Sequence, residues 1–380
     1  MALRLAIVRQ RYKPHGGAER FVERALPALA RAGIEVTLVA RSAEGWCAGA
    51  QRVRVVDPFY LGSLWRERSF ARAARRAWEK EGFDLVQSHE RIPGAAIYRA
   101  GDGVHREWLA VRRAHEGWLG RLGLAASLFH RYLCEAERAM FAHPGLRAVI
   151  CNSEMVRGEI AASFGIAPER LHLIRNGVDL AHFHPRERSS LRRAARAGLG
   201  LAEDDFLFLF AGSGFARKGL DAAIHALART GTRALVLAVA GRDRQAVRYA
   251  ACARALGLGA RVRFLGAHAD LRPLYAAADC FILPTRYDPF PNTALEALAM
   301  GLPVIVGARS GAAEIVVPGR TGWICDPGDP EGLAATMREA AREAPAMARA
   351  ARASAERFGI EDMVARLLSL YAALGAKGAG

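Results

Sequence analysis

The feature that most constrains this chain is an alternation of apolar runs and helical stretches that starts twice. In the first half, "RLAIVRQ", "EVTLVARS", "DLVQSH", "AAIYRAG" and "RAVICNS" are short apolar runs. Longer stretches of helical period separate them, among them "GGAERFVERALPALARAG", closed by Gly33. Such alternation predicts βαβ units around a parallel sheet. After the polar stretch "RERSSLRRAARAGLGLAEDD" the pattern restarts with "FLFLFAGSG" and continues through "ALVLAVAG", "RVRFLGA", "CFILPT" and "LPVIVGA". The chain is therefore expected to be α/β, with one doubly wound domain over residues 1–185 and a second over 186–355. Residues 356–380 read as a C-terminal helix packing back toward the first domain. The 380-residue length agrees, because single cores rarely grow past about 250–300 residues.

Composition removes several function classes. The net charge of +16 is spread almost evenly over the two halves, unlike the one-sided basic stripe of a nucleic-acid footprint. The six cysteines, at 47, 134, 151, 252, 280 and 325, include no C-x-x-C pair, so neither a zinc site nor a disulfide framework is expected and a reducing cytoplasm fits. No apolar run reaches the roughly 18–20 residues that cross a bilayer. "MALRLAIVRQRYKP" reads as a first strand rather than a signal peptide, its apolar core being too short.

Three turns carry the chemistry, two of them glycine-containing. In "AGSGFARKGLD" a strand ends, Gly212 and Gly214 loosen the turn, and Arg217 and Lys218 stand before a helix. Two cations beside helical N–H groups suit an anion such as a diphosphate. The turn lacks G-x-G-x-x-G and a Walker lysine motif, so neither a nicotinamide cofactor nor P-loop chemistry is favoured. "HGGAERF" repeats the logic in the first domain, with Gly16 and Gly17 between strand and helix. In "DPFPNTALEALAMGLPVIV", Asp288 lies in a Pro-rich loop and Glu296 is expected to begin a helix otherwise almost wholly apolar. The bland account of Glu296 is the preference of helix N-termini for anions. The sharper one is that a carboxylate accepts hydrogen bonds from both hydroxyls of a vicinal diol, as on a ribose.

At this point the chain resembles the retaining glycosyltransferases of family 4, which have the two-domain GT-B fold. The resemblance rests on "GGAER", "VICNSE", "LIRNGVDLAHFHP", "GSGFARKGLD", "VAGRD", "FLG", "YAAADCFILPT", "DPFPNTALEALAMGLPVIV" and "GAAEIVVPGRTGWICDPGDPEGLA", in order over roughly residues 3–370. It implies two Rossmann-like domains facing each other across a cleft, with the second binding a nucleotide-sugar, a UDP-sugar being the first expectation. Carried over, Arg217 and Lys218 neutralise the diphosphate and act in catalysis, with Gly212 in the turn that carries them. Glu296 holds the ribose. The loop Asp288, Pro289, Phe290, Pro291, Asn292 and Thr293 contacts the transferred sugar and terminal phosphate, and Gly16 and Gly17 underlie the donor phosphates. Asp288 stands where the family pattern has Glu, one methylene longer, so its reach toward the sugar differs. No metal or other cofactor is implied. No credible nucleophile accompanies the sugar loop, so same-face attack guided by the donor phosphate is the implied route to retention.

In "YRAGDGVHREW", just past a first-domain strand, Asp102 and His105 are the candidates for an acceptor-side catalytic residue. His89 reads as structural. The following stretch interleaves Arg106, Arg112, Arg113 and Arg121 with Trp108 and Trp118. That mixture suits a membrane interface, and equally an amphipathic helix on its own sheet. The opening segment, "SHERIPGAAIYRAGDG" and this insert are most similar to transferases that add a hexose to the lipopolysaccharide core. That similarity implies a lipid-linked saccharide acceptor and a cytoplasmic enzyme held peripherally on the anionic inner membrane, with no nucleic-acid partner. The alternatives are a nucleotide-sugar 2-epimerase of the same fold, or a non-enzymatic basic protein binding membrane or nucleic acid.

Overall fold

The structure is a computed structural model and describes residues 2–11, 25–42 and 52–376. It divides into two compact units. The first comprises residues 1–177 with 360–380, and the second residues 178–359. Val178 bridges to Gly359 and Phe183 packs in the second core, so the stretch 178–185 belongs with the second unit rather than the first.

Among the described residues the first unit holds seven strands: β1 (Arg4–Val8), β2 (Glu35–Ala40), β3 (Arg52–Val55), β4 (Leu85–Ser88), β5 (Ile97–Arg99), β6 (Ala148–Cys151) and β7 (Leu171–Leu173). They form one parallel sheet in the order β3-β2-β1-β4-β5-β6-β7. The period-2 alternation of a strand is explicit in β1. Leu5 and Ile7 enter a core closed by Leu367 and Tyr371 of the helix Ile360–Ala376, while Ala6 and Val8 enter one closed by Phe70 and Trp78 of the helix Gly62–Glu81. Covering both faces makes such strands apolar throughout, and each large buried side chain contributes about 1.5–3 kcal/mol. The sequence reading singled out neither β3 nor β7. β3 is an exposed edge strand, "RVRV", whose arginines mask it.

The second unit has β8 (Phe206–Ala211), β9 (Leu235–Ala240), β10 (Val262–Gly266), β11 (Cys280–Leu283), β12 (Val304–Gly307) and β13 (Gly322–Cys325). Their order is β10-β9-β8-β11-β12-β13, again parallel, around a single large core. Among the described residues no helix is long and apolar enough to cross a membrane.

Candidate functional site

In a doubly wound sheet a ligand sits beyond the carboxyl ends of the strands where their order reverses. In the second unit that point lies between β8 and β11, so the turns after Ala211 and after Leu283 meet there. The first of them is the cationic turn. β8 ends at Ala211, Gly214 adopts φ +77°, and one helical turn, Phe215–Lys218, carries Arg217 and Lys218. Gly219, at φ +75°, starts the next helix, Leu220–Arg229. A Cβ there would strike the carbonyl of Pro284, so only glycine lets the two turns close on each other.

Two hydrogen bonds lock the turns together: the Thr285 hydroxyl and the Arg286 N–H both donate to the Arg217 carbonyl at 2.9 Å. Arg286 is itself fixed by a fork of bonds to the Asp221 carboxylate, at 2.6 and 2.8 Å, and these hold Asp221 below the usual carboxylate range against the cost of its burial. At the start of the short helix the Phe215 N–H is already given to Asp243, at 2.8 Å. That N–H is therefore not left for an anion.

Lys218 and Asp288, seventy positions apart, form an ion pair, and both side chains are buried. Burial pushes the Lys218 ammonium below its ordinary value, and Asp288 pulls the other way. Asp288 is held by its own backbone as well, donating N–H to Arg309 and accepting from Gly311. The Asp288 carboxylate thus faces the lysine at its back. Of the loop expected to touch a sugar, Pro289, Phe290, Pro291 and Asn292 are buried and Thr293 is half-buried, its hydroxyl donating to the Ala211 carbonyl at 3.2 Å.

Glu296 does not begin its helix. The helix is Asn292–Ala299, and Glu296 lies one turn inside it. Its carboxylate is wholly buried, with Oε2 accepting from the Tyr275 hydroxyl at 3.2 Å; that hydroxyl also lies 3.0 Å from the Thr293 carbonyl. The dipole effect fades within the first turn, so the helix start is not the account of this charge. Tyr275 was legible only as part of the "YAAADCFILPT" run, where the tyrosine reads as core.

In the first unit Asp102 follows β5 in an exposed turn, with the Arg9 guanidinium 3.8 Å away. His105 opens the helix His105–His115 and is buried. Its Nε2 lies 3.1 Å from Nδ1 of His130, and its backbone N–H donates to Glu137, a buried carboxylate that also pairs with Arg91 at 2.8 Å. Burial, then Arg91 and His130, push the His105 imidazole down to about 3, so it is neutral at pH 7. Glu137 and Arg91 were missed by the sequence reading, because nothing local marks a charge as buried. His89 is buried against Gln87 and its imidazole is pushed down by burial and Arg99. Gly16 and Gly17 lie outside the described residues.

The expected membrane stretch forms three helices, His105–His115, Trp118–Ala126 and Leu128–Phe141. Trp118, Leu119, Leu122 and Leu128 are exposed and Trp108 is half-buried. Arg112 pairs with Glu116 at 3.0 Å, and Arg121 donates to the carbonyls of Arg113 and Glu116. Arg106 and Arg113 are exposed.

Residues 15–182 match the family described as Glycosyltransferase Family 4, and residues 192–357 match Glycosyl transferases group 1. The chain is 27% identical to the lipopolysaccharide glucosyltransferase WaaG of Escherichia coli K12 over 339 residues, 88% of each chain. The crystal structure of WaaG superposes with a TM-score of 0.84 at 25% identity, covering 96% of this chain and 99% of that one. Anabaena HepE, solved in complex with UDP-glucose, shares the fold at 20% identity, with a TM-score of 0.74 and coverage of 98% and 100%. Fold and site together define a glycosyltransferase of the GT-B type. The chain belongs to the glycosyltransferases that join a family 4 first half to a group 1 second half, and it is similar to the lipopolysaccharide-core hexosyltransferases.

Proposed function

We propose that this glycosyltransferase moves a hexose, with retention of anomeric configuration, from a UDP-sugar to a saccharide carried on a lipid, such as a lipopolysaccharide core. The observation that carries the donor half of this reading is Arg217 beside the buried Lys218–Asp288 pair at the switch point of the second sheet. A departing nucleoside diphosphate gains negative charge in the transition state, and cations fixed in advance stabilise it without reorganising. With those cations in place the reaction needs no metal. Arg217 and Lys218 are assigned the diphosphate, Glu296 the ribose, and Asp288 through Thr293 the sugar side, Asp288 chiefly by setting the lysine. Asp102 is the acceptor-side residue we favour, since it is exposed while His105 is engaged with His130.

The name of the Escherichia coli relative supports glucose and a lipopolysaccharide acceptor. The uridine donor is the first choice because a protein of this fold was solved with UDP-glucose. The exposed Trp118, Leu119, Leu122 and Leu128 support work at the cytoplasmic face of the inner membrane, peripherally bound. The test is calorimetry of UDP-, ADP- and GDP-sugars against the wild type and Glu296→Ala. Binding of UDP-sugars alone, weakened at least tenfold in the variant, supports the reading. Binding of another nucleotide class refutes the uridine assignment, and equal binding by the variant refutes the ribose role.

A further inference from the structure

A cavity lies on the first unit, on a face that the donor-side reading does not use. It has a volume of about 630 Å³ and is walled by the segment that enters the helix Gly62–Glu81 and by one face of that helix. Arg68, Arg72 and Arg76 follow one another at four-residue spacing and so line up on that face. All three are exposed, and among the described residues none is ion-paired with a carboxylate. Like charges four apart in a helix destabilise it by about 0.2–0.5 kcal/mol per pair, so the stripe is a cost to the fold.

Beside the stripe, Phe59 and Leu61 are exposed, and Trp65 stands edge-on to Phe59 with ring centres 5.5 Å apart. These side chains are not on a loose loop. The buried Arg41 donates to Asp57 at 2.6 Å and to the Pro58 carbonyl at 2.7 Å. It also reaches the Arg66 carbonyl and the Ser69 hydroxyl, and lies over the Tyr60 ring. A buried guanidinium thus pins the segment that turns Phe59 outward. Arg68 also lies over the ring of Tyr132, one turn from the exposed Leu128, so this wall adjoins the apolar end of the helix Leu128–Phe141.

From this juxtaposition we infer that the cavity is a docking site for an anionic phospholipid: its phosphate lies along Arg68, Arg72 and Arg76, and its acyl boundary meets Phe59, Leu61 and Trp65. A free phosphate would leave the aromatics unused. A nucleic acid would want successive aromatic faces to stack on, whereas the rim offers only Phe59 and Trp65, set at right angles to each other, among Pro58, Leu61 and Leu64. Guanidinium with a rigid aromatic and leucine suits the headgroup layer of a bilayer. The inference rests on the lipid-linked acceptor proposed above, since it sets a second point at which the first unit meets that lipid's membrane.

The experiment is flotation with vesicles of phosphatidylcholine alone and with about one third phosphatidylglycerol, using wild type, Arg72→Gln/Arg76→Gln, Trp65→Phe and Trp118→Phe. Each basic residue at an anionic surface contributes enough that losing two should weaken binding to the anionic vesicles about thirtyfold, with UDP binding and melting temperature unchanged. Quenching of tryptophan fluorescence by brominated lipid should fall in Trp65→Phe. If the double variant binds like wild type while quenching falls only in Trp118→Phe, the pocket assignment is overturned and membrane binding through the insert survives. If no protein binds vesicles, both fall. Binding of a single-stranded oligonucleotide through the same arginines by a protein that does not float with the anionic vesicles also overturns it.

Discussion

Replacing Asp288 with Asn keeps the size of the side chain and removes its charge, leaving Lys218 buried without its counter-ion. Breaking one side of a buried pair costs about 3–5 kcal/mol, because the remaining charge stays desolvated. For a unit of this size each kcal/mol lowers the melting temperature by about 2–4 °C, so a loss of roughly 6–20 °C is expected. Burial already lowers the lysine in the native protein, and Asp288 supplies the contacts that raise it. Without Asp288 its folded value falls further below the unfolded one. The unfolded chain then binds more protons than the folded one between those two values, so the stability of Asp288→Asn rises as pH increases toward about 10.4, the ordinary lysine value. The assay is urea unfolding of the wild type, Asp288→Asn, Lys218→Met and the double variant. With both charges gone nothing is left unpaired, so the double variant should be more stable than either single one, giving a coupling of about 2–3 kcal/mol. Additivity within about 0.5 kcal/mol would refute the argument that the pair is a mutually dependent buried unit.

Arg217 is half-buried and donates to no carboxylate among the described residues, so Arg217→Ala should leave the melting temperature within a few degrees of wild type. Its turnover should nevertheless drop about 10²–10³-fold at saturating donor, as for other lost transition-state donors, and unchanged kcat would remove it from the diphosphate site. His105 has a folded value of about 3 against an ordinary one near 6.5, so the unfolded state gains protons first on acidification. Stability should fall as pH drops from about 6.5 toward 4, and His105→Gln should flatten that decline in pH-dependent unfolding. Gly219→Ala should destabilise the second unit by at least about 1–2 kcal/mol, through its positive φ and the Pro284 carbonyl in its path, read as a shift in urea midpoint.

What the chain disclosed on its own was whatever repeats locally. Period-2 runs such as "RLAIV" and "LVLAVA" are apolar on both faces, and only a covered parallel sheet gives such strands two buried faces. The same holds for the turn Gly212–Lys218, whose glycines and cations sit within seven residues. Strands that break the pattern escaped: β3 carries arginines at an exposed edge, and β7 is the short "LHL", its apolar run broken by His172. The partners of buried charges were not legible at all. Lys218 meets Asp288 because strand order brings β8 beside β11, and no spacing along the chain encodes that meeting. Glu296 one turn inside its helix against Tyr275, and His105 against His130 over Glu137, were decided in the same way. Local sequence sets which backbone conformation is cheap, whereas the cost of a buried charge depends on what the whole fold places within about 3–4 Å of it.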